Sequence, residues 1–223
     1  MQARELLGTA RVPGGEELRL FARGGDFIVA LDRNELMSSR MSGSEEALAT
    51  MTAARLAGRP APRFLIGGYG MGFTLRAALA VLPATARVTV AELVPEILEW
   101  ARGPMAAMTA GCLDDPRVTL AMADVADVIA AGRGLDAILL DVDNGPDGLV
   151  RAGNDRLYSP DGLAAARAAL NPGGVLAVWS AGPDPKFLRR LERARFAVEE
   201  VAVRARSNGK GPRHVIWFAR REG

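Results

Sequence analysis

A glycine-rich turn between a short apolar run and a helical pattern limits the fold of this chain more than any other feature. The apolar run at residues 64–66 leads into the turn at 67–72, and a helical pattern starts immediately afterwards. Glycine has no Cβ, so the backbone of such a turn can approach a ligand closely. A second apolar run at 88–91 ends in Glu92, whose carboxylate can accept hydrogen bonds from a ribose diol. This order of elements indicates an adenosine-containing ligand.

From the glycine turn onward, apolar runs and helical patterns alternate, which is typical of a parallel sheet covered by helices on both faces. The segment 205–212 lacks a helical pattern, so we expect the two flanking strands to form an antiparallel hairpin at the sheet edge. We therefore predict an α/β, Rossmann-like fold with a seven-stranded sheet that looks like that of S-adenosylmethionine-dependent methyltransferases. The predicted strands are 63–67, 87–92, 117–121, 135–141, 174–180, 196–204 and 213–219, and the predicted helices are 73–82, 94–109, 124–131, 160–170 and 184–193.

The N-terminal part of the chain has a different pattern. Short apolar runs at 18–23 and 26–31 flank a Gly-Gly pair, which predicts a β-hairpin. A helix is expected to begin near Ser44, and the Gly- and Pro-containing segment 58–62 ends it. We predict a small N-terminal β region with a linking helix at 1–60 and a catalytic domain at 61–223.

Composition excludes several classes of protein. The chain has 223 residues and a formal charge of +2, too small to indicate nucleic-acid binding by itself. Runs of about 18 apolar residues are absent, so a membrane span is not expected. The chain has a single cysteine, and its N-terminus lacks the charged-then-apolar order of a signal peptide, so we expect it in the reducing cytoplasm. We expect this cysteine, Cys112, to be a buried apolar residue. His214 has no Cys, Asp or Glu at metal-ligand spacing, and we expect no metal.

Polar residues at the ends of neighbouring strands are expected to meet at one edge of the sheet. Asp124 follows the third strand of the predicted sheet and could cap the next helix, bind an adenine amine, or do both. Ligand-binding candidates are the glycine turn and the strand-end residues with their neighbours: Gly68, Tyr69, Gly70, Gly72, Glu92, Leu93, Asp124, Val125 and Asp141.

An acidic segment follows the central apolar run at 137–140. Asp141 and Asp143 lie where an open α/β sheet places its active site, although Asp, Asn, Gly and Pro in the segment 141–147 are also turn formers. We predict catalytic roles for Asp141, for Asp143 as a base, and for Tyr158 in orienting the acceptor.

These motifs together resemble the spermidine synthase family of polyamine aminopropyltransferases. The resemblance covers about residues 60–180 and, more faintly, the N-terminal hairpin. It implies decarboxylated S-adenosylmethionine as co-substrate, a homodimer, Glu92 on the ribose, Asp124 on the adenine amine and the glycine turn against the nucleoside. The resembling segments are 64–74, 90–96, 115–118, 139–141, 157–159 and 170–174.

The chain departs from the family at acidic positions. Met71 stands at the family's aspartate in the glycine turn, and Asn144 stands at the last aspartate of the catalytic segment. The family's Tyr-His-Glu corresponds to residues 44–46, which read Ser-Glu-Glu. Two carboxylates that would pair with a diamine are therefore expected to be missing, which argues against ordinary putrescine aminopropylation.

The sequence thus predicts a transferase that uses S-adenosylmethionine or its decarboxylated form to alkylate a small amine by aminopropyl or methyl transfer. One alternative is a catalytically silent nucleoside-binding or interaction protein. Another is an RNA-modifying methyltransferase, suggested by the basic segment 204–214, for which a solvent-exposed hairpin tip is the simpler interpretation. Neither a membrane nor a nucleic acid is the expected partner.

Overall fold

The computed structural model describes residues 3–12, 15–31, 34–142 and 155–223, which form two sheets. The smaller sheet is an antiparallel meander of β1 (Glu5–Arg11), β2 (Glu17–Arg23), β3 (Asp26–Leu31) and β4 (Asn34–Ser38). The predicted hairpin is confirmed as β2 and β3. Gly24 and Gly25 at its turn have φ of 59° and 87°, the left-handed values that a tight hairpin turn requires. Strands β1 and β4 were not predicted from the sequence.

The larger sheet has seven strands and confirms the predicted architecture. Its spatial order is β10-β11-β9-β8-β5-β6-β7. The first five strands along the chain run parallel, whereas β11 pairs antiparallel with both β9 and β10. The strands are β5 (Arg63–Gly67), β6 (Arg87–Glu92), β7 (Val118–Met122), β8 (Leu135–Leu140), β9 (Leu170–Ser180), β10 (Phe196–Arg204) and β11 (Arg213–Arg221).

The first helix joins the smaller sheet to the larger one, and the later helices connect strands of the larger sheet, as expected for this fold. They are α1 (Gly43–Arg55), α2 (Phe73–Val81), α3 (Pro95–Arg102), α4 (Ala106–Thr109), α5 (Val125–Ala131), α6 (Asp155–Tyr158), α7 (Pro160–Ala169) and α8 (Pro185–Arg193). Within the described ranges, every helix is too short or too polar to cross a bilayer.

The prediction of one helix over residues 94–109 was wrong, because the structure has two helices there. The Gly103 N–H donates to the Glu99 carbonyl at 2.8 Å and closes α3. Pro104 follows directly and has no N–H to continue the helical hydrogen bonds. The Gly-Pro pair was the signal for this break.

The larger sheet is buried on both faces, and its side chains alternate between two apolar clusters. Phe64 and Ile66 face one cluster, while Leu65 between them faces the other. This alternation follows from the two-residue period of a strand. Helices α1 and α2 pack against each other, and α1 also lies against β9, β10 and β11. The predicted domain boundary near residue 60 stays a prediction.

The smaller sheet is seated on helix α3. A Cβ at Gly8 in β1 would lie 2.5 Å from Nε1 of the buried Trp100, so the strand can approach the helix this closely only with glycine there. Leu18, Leu20 and Val29 of the smaller sheet belong to the same apolar cluster as Trp100. The smaller sheet is therefore held beside β6 and α3, at the edge where the parallel strands end.

Candidate functional site

The glycine turn between β5 and α2 requires glycine for two different reasons. Gly68, Gly70 and Gly72 all have positive φ, at 80°, 56° and 77°. A Cβ at Gly72 would also lie 2.6 Å from the Tyr69 hydroxyl, while a Cβ at Gly67 would lie 2.9 Å from Val125. A side chain at these positions would strain the backbone or push apart the elements that the turn brings together.

Glu92, at the end of β6, holds this turn in place. Its Oε2 accepts the Tyr69 N–H at 2.9 Å, and its Oε1 accepts the N–H groups of Leu93 and Val94 at 2.7 and 2.8 Å. The side chain is buried, with 8% of its surface exposed. A carboxylate offers about four acceptor positions, so roughly one remains for a ligand.

A pocket lies over the turn, and we call it the turn pocket. Its empty volume is about 850 Å³, open solvent at the mouth included. The structure brings most of the predicted ligand-binding residues to its wall: Gly68, Gly70, Glu92, Leu93, Asp124, Val125 and Asp141.

The smaller sheet forms the opposite wall of the turn pocket, which the sequence analysis missed. Five apolar residues from this part of the chain line it: Val12, Leu18, Leu31, Leu36 and Met37. The signal was available in the apolar residues of strand β2, because alternate residues of a strand share a face. The resulting pocket has a polar floor at the strand ends and an apolar cover.

Asp124 caps a helix and also lines the turn pocket. Its Oδ1 accepts the Ala126 N–H at 2.9 Å and caps α5, as the sequence suggested. Its Oδ2 pairs with Arg156 at 2.9 Å, and Arg156 also reaches Asp127 at 3.0 Å. Arg156 was not among the predicted site residues, since nothing in the sequence links α6 to α5.

A second pocket adjoins the first, and we call it the acid pocket. Its empty volume is about 1010 Å³, and its wall includes Glu45 from α1, Trp179 from β9 and His214 from β11. Gly68, Gly70 and Asp141 line both pockets. Asp141 therefore stands at the junction, at the carboxyl end of the central strand β8.

Two carboxyl groups repel each other in the acid pocket. Burial, followed by the charges of Asp141 and Glu46, raises the pKa of Glu45 well above its usual value. Burial likewise raises the pKa of Asp141. Carboxyls that lose water and face a like charge hold a proton to higher pH. Glu45 therefore supplies a carboxyl to this pocket beside Asp141.

His214 forms part of the same wall. Its Nδ1 lies 2.9 Å from the Ser44 hydroxyl, and its ring meets Trp179 edge to face at a centroid distance of 4.8 Å. Burial lowers the pKa of His214, which favours the neutral imidazole. The basic segment 204–214 thus reaches the pocket at its last residue. Sequence reasoning could not detect this, because Ser44 and His214 are distant in the chain.

The side chains of three other residues from the sequence analysis are turned into the core. Tyr69 lines the acid pocket by its position in the turn, but its hydroxyl points to the buried Cys112 at 3.4 Å. Met71 is 1% exposed in the core and lines neither pocket. Tyr158 also lines neither pocket and packs edge to face on Phe187 with centroids 5.6 Å apart.

Some candidates are not tested by this geometry. Asp143 and Asn144 lie outside the described residues, so the catalytic role predicted for Asp143 stays a prediction. Gly72 shapes the turn without lining either pocket. In the described part of the chain, no group of three His, Cys, Asp or Glu residues could hold a metal ion.

The chain was compared with family models and with curated proteins. No family model matches the chain. A polyamine aminopropyltransferase from Mycobacterium tuberculosis is 31% identical over 173 residues, which cover 76% of this chain and 30% of that protein. The chain therefore spans less than a third of the length of this curated relative.

Solved structures show the same fold. A spermidine synthase from Thermotoga maritima superposes with a TM-score of 0.78 at 20% identity, over 97% of this chain and 72% of that one. A protein described as an O-methyltransferase, from Klebsiella pneumoniae, reaches a TM-score of 0.56 at 18% identity, over 81% of this chain and 80% of that one. The resemblance to spermidine synthases and the methyltransferase-like fold are thereby confirmed.

Proposed function

We propose that this chain is a spermidine synthase-like transferase, which moves an alkyl group from an S-adenosyl nucleoside to a small amine. The observation that carries the proposal is the shared wall of the two pockets. Gly68, Gly70 and Asp141 border both spaces, so a sulfonium donor in the turn pocket and an amine in the acid pocket would meet there. Holding two reactants in contact is the main catalytic requirement of such a displacement.

The nucleoside end of the donor would occupy the turn pocket. The remaining acceptor position of Glu92 would receive a ribose hydroxyl, and Asp124 would receive the adenine amine. The apolar residues of the smaller sheet, such as Leu36 and Met37, would cover the base. This assignment keeps both roles that the sequence predicted for these acids.

The lining of the two pockets favours the decarboxylated donor. Among the described residues, neither pocket wall contains an arginine or a lysine. The α-carboxylate of S-adenosylmethionine would therefore lose water without a cationic partner, which is costly. The decarboxylated form lacks this carboxylate and avoids the cost. We therefore favour aminopropyl transfer over methyl transfer.

The acceptor amine would bind in the acid pocket. Its ammonium would lie beside the carboxyls of Glu45 and Asp141, while Trp179, Met41 and Phe73 would contact its hydrocarbon part. A cation between two carboxyls relieves their repulsion, so amine binding and proton release are coupled.

The reaction itself is a displacement at carbon. The bound ammonium first gives a proton to a carboxylate, for which Asp141 lies at the junction and Asp143 is the second candidate. The neutral nitrogen then attacks the propyl carbon attached to sulfur, the C–S bond breaks, methylthioadenosine leaves as a neutral thioether, and the product carries a secondary ammonium.

A first experiment tests the proposal with ligands. Calorimetric titration should show methylthioadenosine and decarboxylated S-adenosylmethionine binding more tightly than S-adenosylmethionine. Incubation with the decarboxylated donor and mixed amines should yield an aminopropylated product by mass spectrometry. Binding without a product would instead support the silent nucleoside-binding alternative, and methylated product from S-adenosylmethionine would support methyl transfer. Salt-dependent binding of transfer RNA would support the RNA-modifying alternative.

A variant tests the chemistry at the junction. Asp141→Asn should lower turnover by roughly 10²–10⁴-fold, the usual contribution of a proton-transferring group. Methylthioadenosine affinity should change little, because Glu92 and Asp124 remain. Asp161→Asn in the first turn of α7 is the control and should keep full turnover. Unchanged turnover in Asp141→Asn would refute the role of this residue.

A further inference from the structure

A groove lined by charged side chains lies between α7 and α8, outside the two pockets described above. Its empty volume is about 1040 Å³. Ala164 and Ala168 of α7 form an uncharged floor, and small side chains there leave room between the helices. Four arginines surround this floor: Arg167 from α7, Arg190 and Arg193 from α8, and Arg221 at the end of β11.

Backbone carbonyls fix three of these guanidinium groups in position. Arg167 donates to the carbonyls of Arg195 and Glu222 at 3.2 and 3.3 Å. Arg221 donates to the carbonyls of Arg167 and Leu170, and Arg190 donates to the Tyr158 carbonyl at 3.3 Å. A carbonyl orients a guanidinium without neutralising its charge. The cations are therefore held in place while remaining positive.

Few negative groups balance this charge. Asp184 is the one carboxylate within ion-pair distance of a groove arginine in the described chain, at 3.6 Å from Arg190. Within the same ranges, Arg193 makes neither a hydrogen bond nor an ion pair. The C-terminal ends of α7 and α8 each supply about half a negative charge. Against four guanidinium groups, roughly two positive charges remain uncompensated.

We propose that this groove binds a small anion that carries two or more phosphate groups. Arginine is suited to phosphate because its planar fork can donate two parallel hydrogen bonds. Separate guanidinium groups on two helices and a strand match an anion with several charged groups better than a single phosphate. The aromatic residues that stack bases in nucleic-acid sites are absent from the described lining of the groove. That absence favours a free oligophosphate over a nucleic acid.

Inorganic tripolyphosphate is a suitable probe for this site. It should raise the melting temperature of the full chain above that in sodium chloride of equal ionic strength, since a ligand that binds the folded state stabilises it. Calorimetry should give an affinity that falls with added salt. The assay does not depend on transferase activity, so its result is separate from the proposed function.

Two variants on the same helix locate the binding. Arg193→Gln removes a groove arginine without a partner, and we expect about a tenfold loss of tripolyphosphate affinity, as for a charged hydrogen bond. Arg189→Gln removes an exposed arginine of α8 that does not line the groove. It should keep the affinity within about twofold, as for an exposed charge.

Three results would overturn the proposal. The first is no stabilisation by tripolyphosphate at matched ionic strength. The second is equal loss of affinity in the two variants, which would indicate general surface charge. The third is tighter, Arg193-dependent binding of a single-stranded oligonucleotide, which would make the groove a nucleic-acid site.

Discussion

The turn pocket and the acid pocket share the glycine turn, yet their carboxyl groups are in opposite situations. Glu92 in the turn pocket accepts three backbone N–H groups and is stabilised by the fold around it. Glu45 and Asp141 in the acid pocket lose water and face each other, and the pKa of each is raised. Glu92 therefore stabilises the fold, whereas the charged forms of Glu45 and Asp141 are disfavoured where they lie.

This difference suggests a division of labour. A satisfied carboxylate makes the turn pocket rigid before any ligand arrives, which reduces the entropy lost on binding. An unsatisfied pair makes the acid pocket favourable for a cation, because the cation removes a repulsion that already exists. Residues that cost stability are expected at sites of function, and the acid pocket fits this rule.

Among the variants that test this comparison, Glu92→Ala should have the largest effect on stability and on nucleoside binding. The change leaves the N–H groups of Tyr69, Leu93 and Val94 without their acceptor, and buried donors without partners are costly. We expect a loss of about 3 kcal/mol in the free energy of unfolding. Urea denaturation measures the loss, and titration with methylthioadenosine should show much weaker binding.

Glu92→Gln is a more conservative variant that tests the same role if Glu92→Ala folds poorly. The amide keeps one oxygen acceptor for the turn, so we expect partial loss of both stability and nucleoside affinity. If both variants were as stable as the parent protein and bound methylthioadenosine equally well, Glu92 would neither hold the turn nor contact the nucleoside.

Glu45→Gln is expected to raise the free energy of unfolding, by less than Glu92→Ala lowers it. Below about pH 4 the carboxyl is protonated in both folded and unfolded chains and costs nothing. As pH rises through the raised folded-state pKa, the folded chain must ionise a carboxyl beside Asp141, and stability falls. The variant should therefore be more stable than the parent protein at pH 8, with little difference at pH 4.

Thermal unfolding across this pH range measures the effect. Glu99→Gln, at an exposed position of α3, is the matched control and should not change the pH dependence. A Glu45→Gln variant with the same stability difference at both pH values would show that the two carboxyls do not repel each other.

The smallest effect is expected from Arg156→Gln, at the outer end of the turn pocket. The Arg156–Asp124 ion pair is half exposed, and such pairs contribute about 0–1 kcal/mol. Because Arg156 occupies the Asp124 oxygen that would receive the adenine amine, its removal should raise methylthioadenosine affinity up to about threefold. Arg102→Gln, which breaks the exposed pair with Asp114, should leave this affinity unchanged. Weaker nucleoside binding in Arg156→Gln would mean that the arginine itself holds the ligand.

Sequence reasoning predicted the turn pocket well because its signals are local. The glycine turn, Glu92, Asp124 and Asp141 each lie at the end of a recognisable strand, and a parallel sheet necessarily brings strand ends together. The seven strands of the larger sheet and its antiparallel hairpin followed from the alternation of strands and helices and from the absence of a last helix. The predicted binding roles and the homodimer stay predictions.

The acid pocket could not be predicted in the same way. Its wall joins Glu45, Trp179 and His214 from α1, β9 and β11, and contacts between distant segments leave no pattern in the sequence. Strand β1 was missed for another reason, since most of its residues are exposed and show no apolar alternation. Tyr158 is predicted from its position to orient the acceptor, and this role stays a prediction; its side chain packs in the core.

The start of α1 is anchored to the connection between β10 and β11. The Gly43 N–H donates to the Ala205 carbonyl at 2.9 Å, and a Cβ on Gly43 would lie 2.4 Å from the backbone of Arg206. Glu45 follows two residues later, so an insertion or deletion in this outer connection would shift the helix end and the wall of the acid pocket with it. The shape of this pocket can therefore change with the length of a distant loop while every side chain that lines it stays the same.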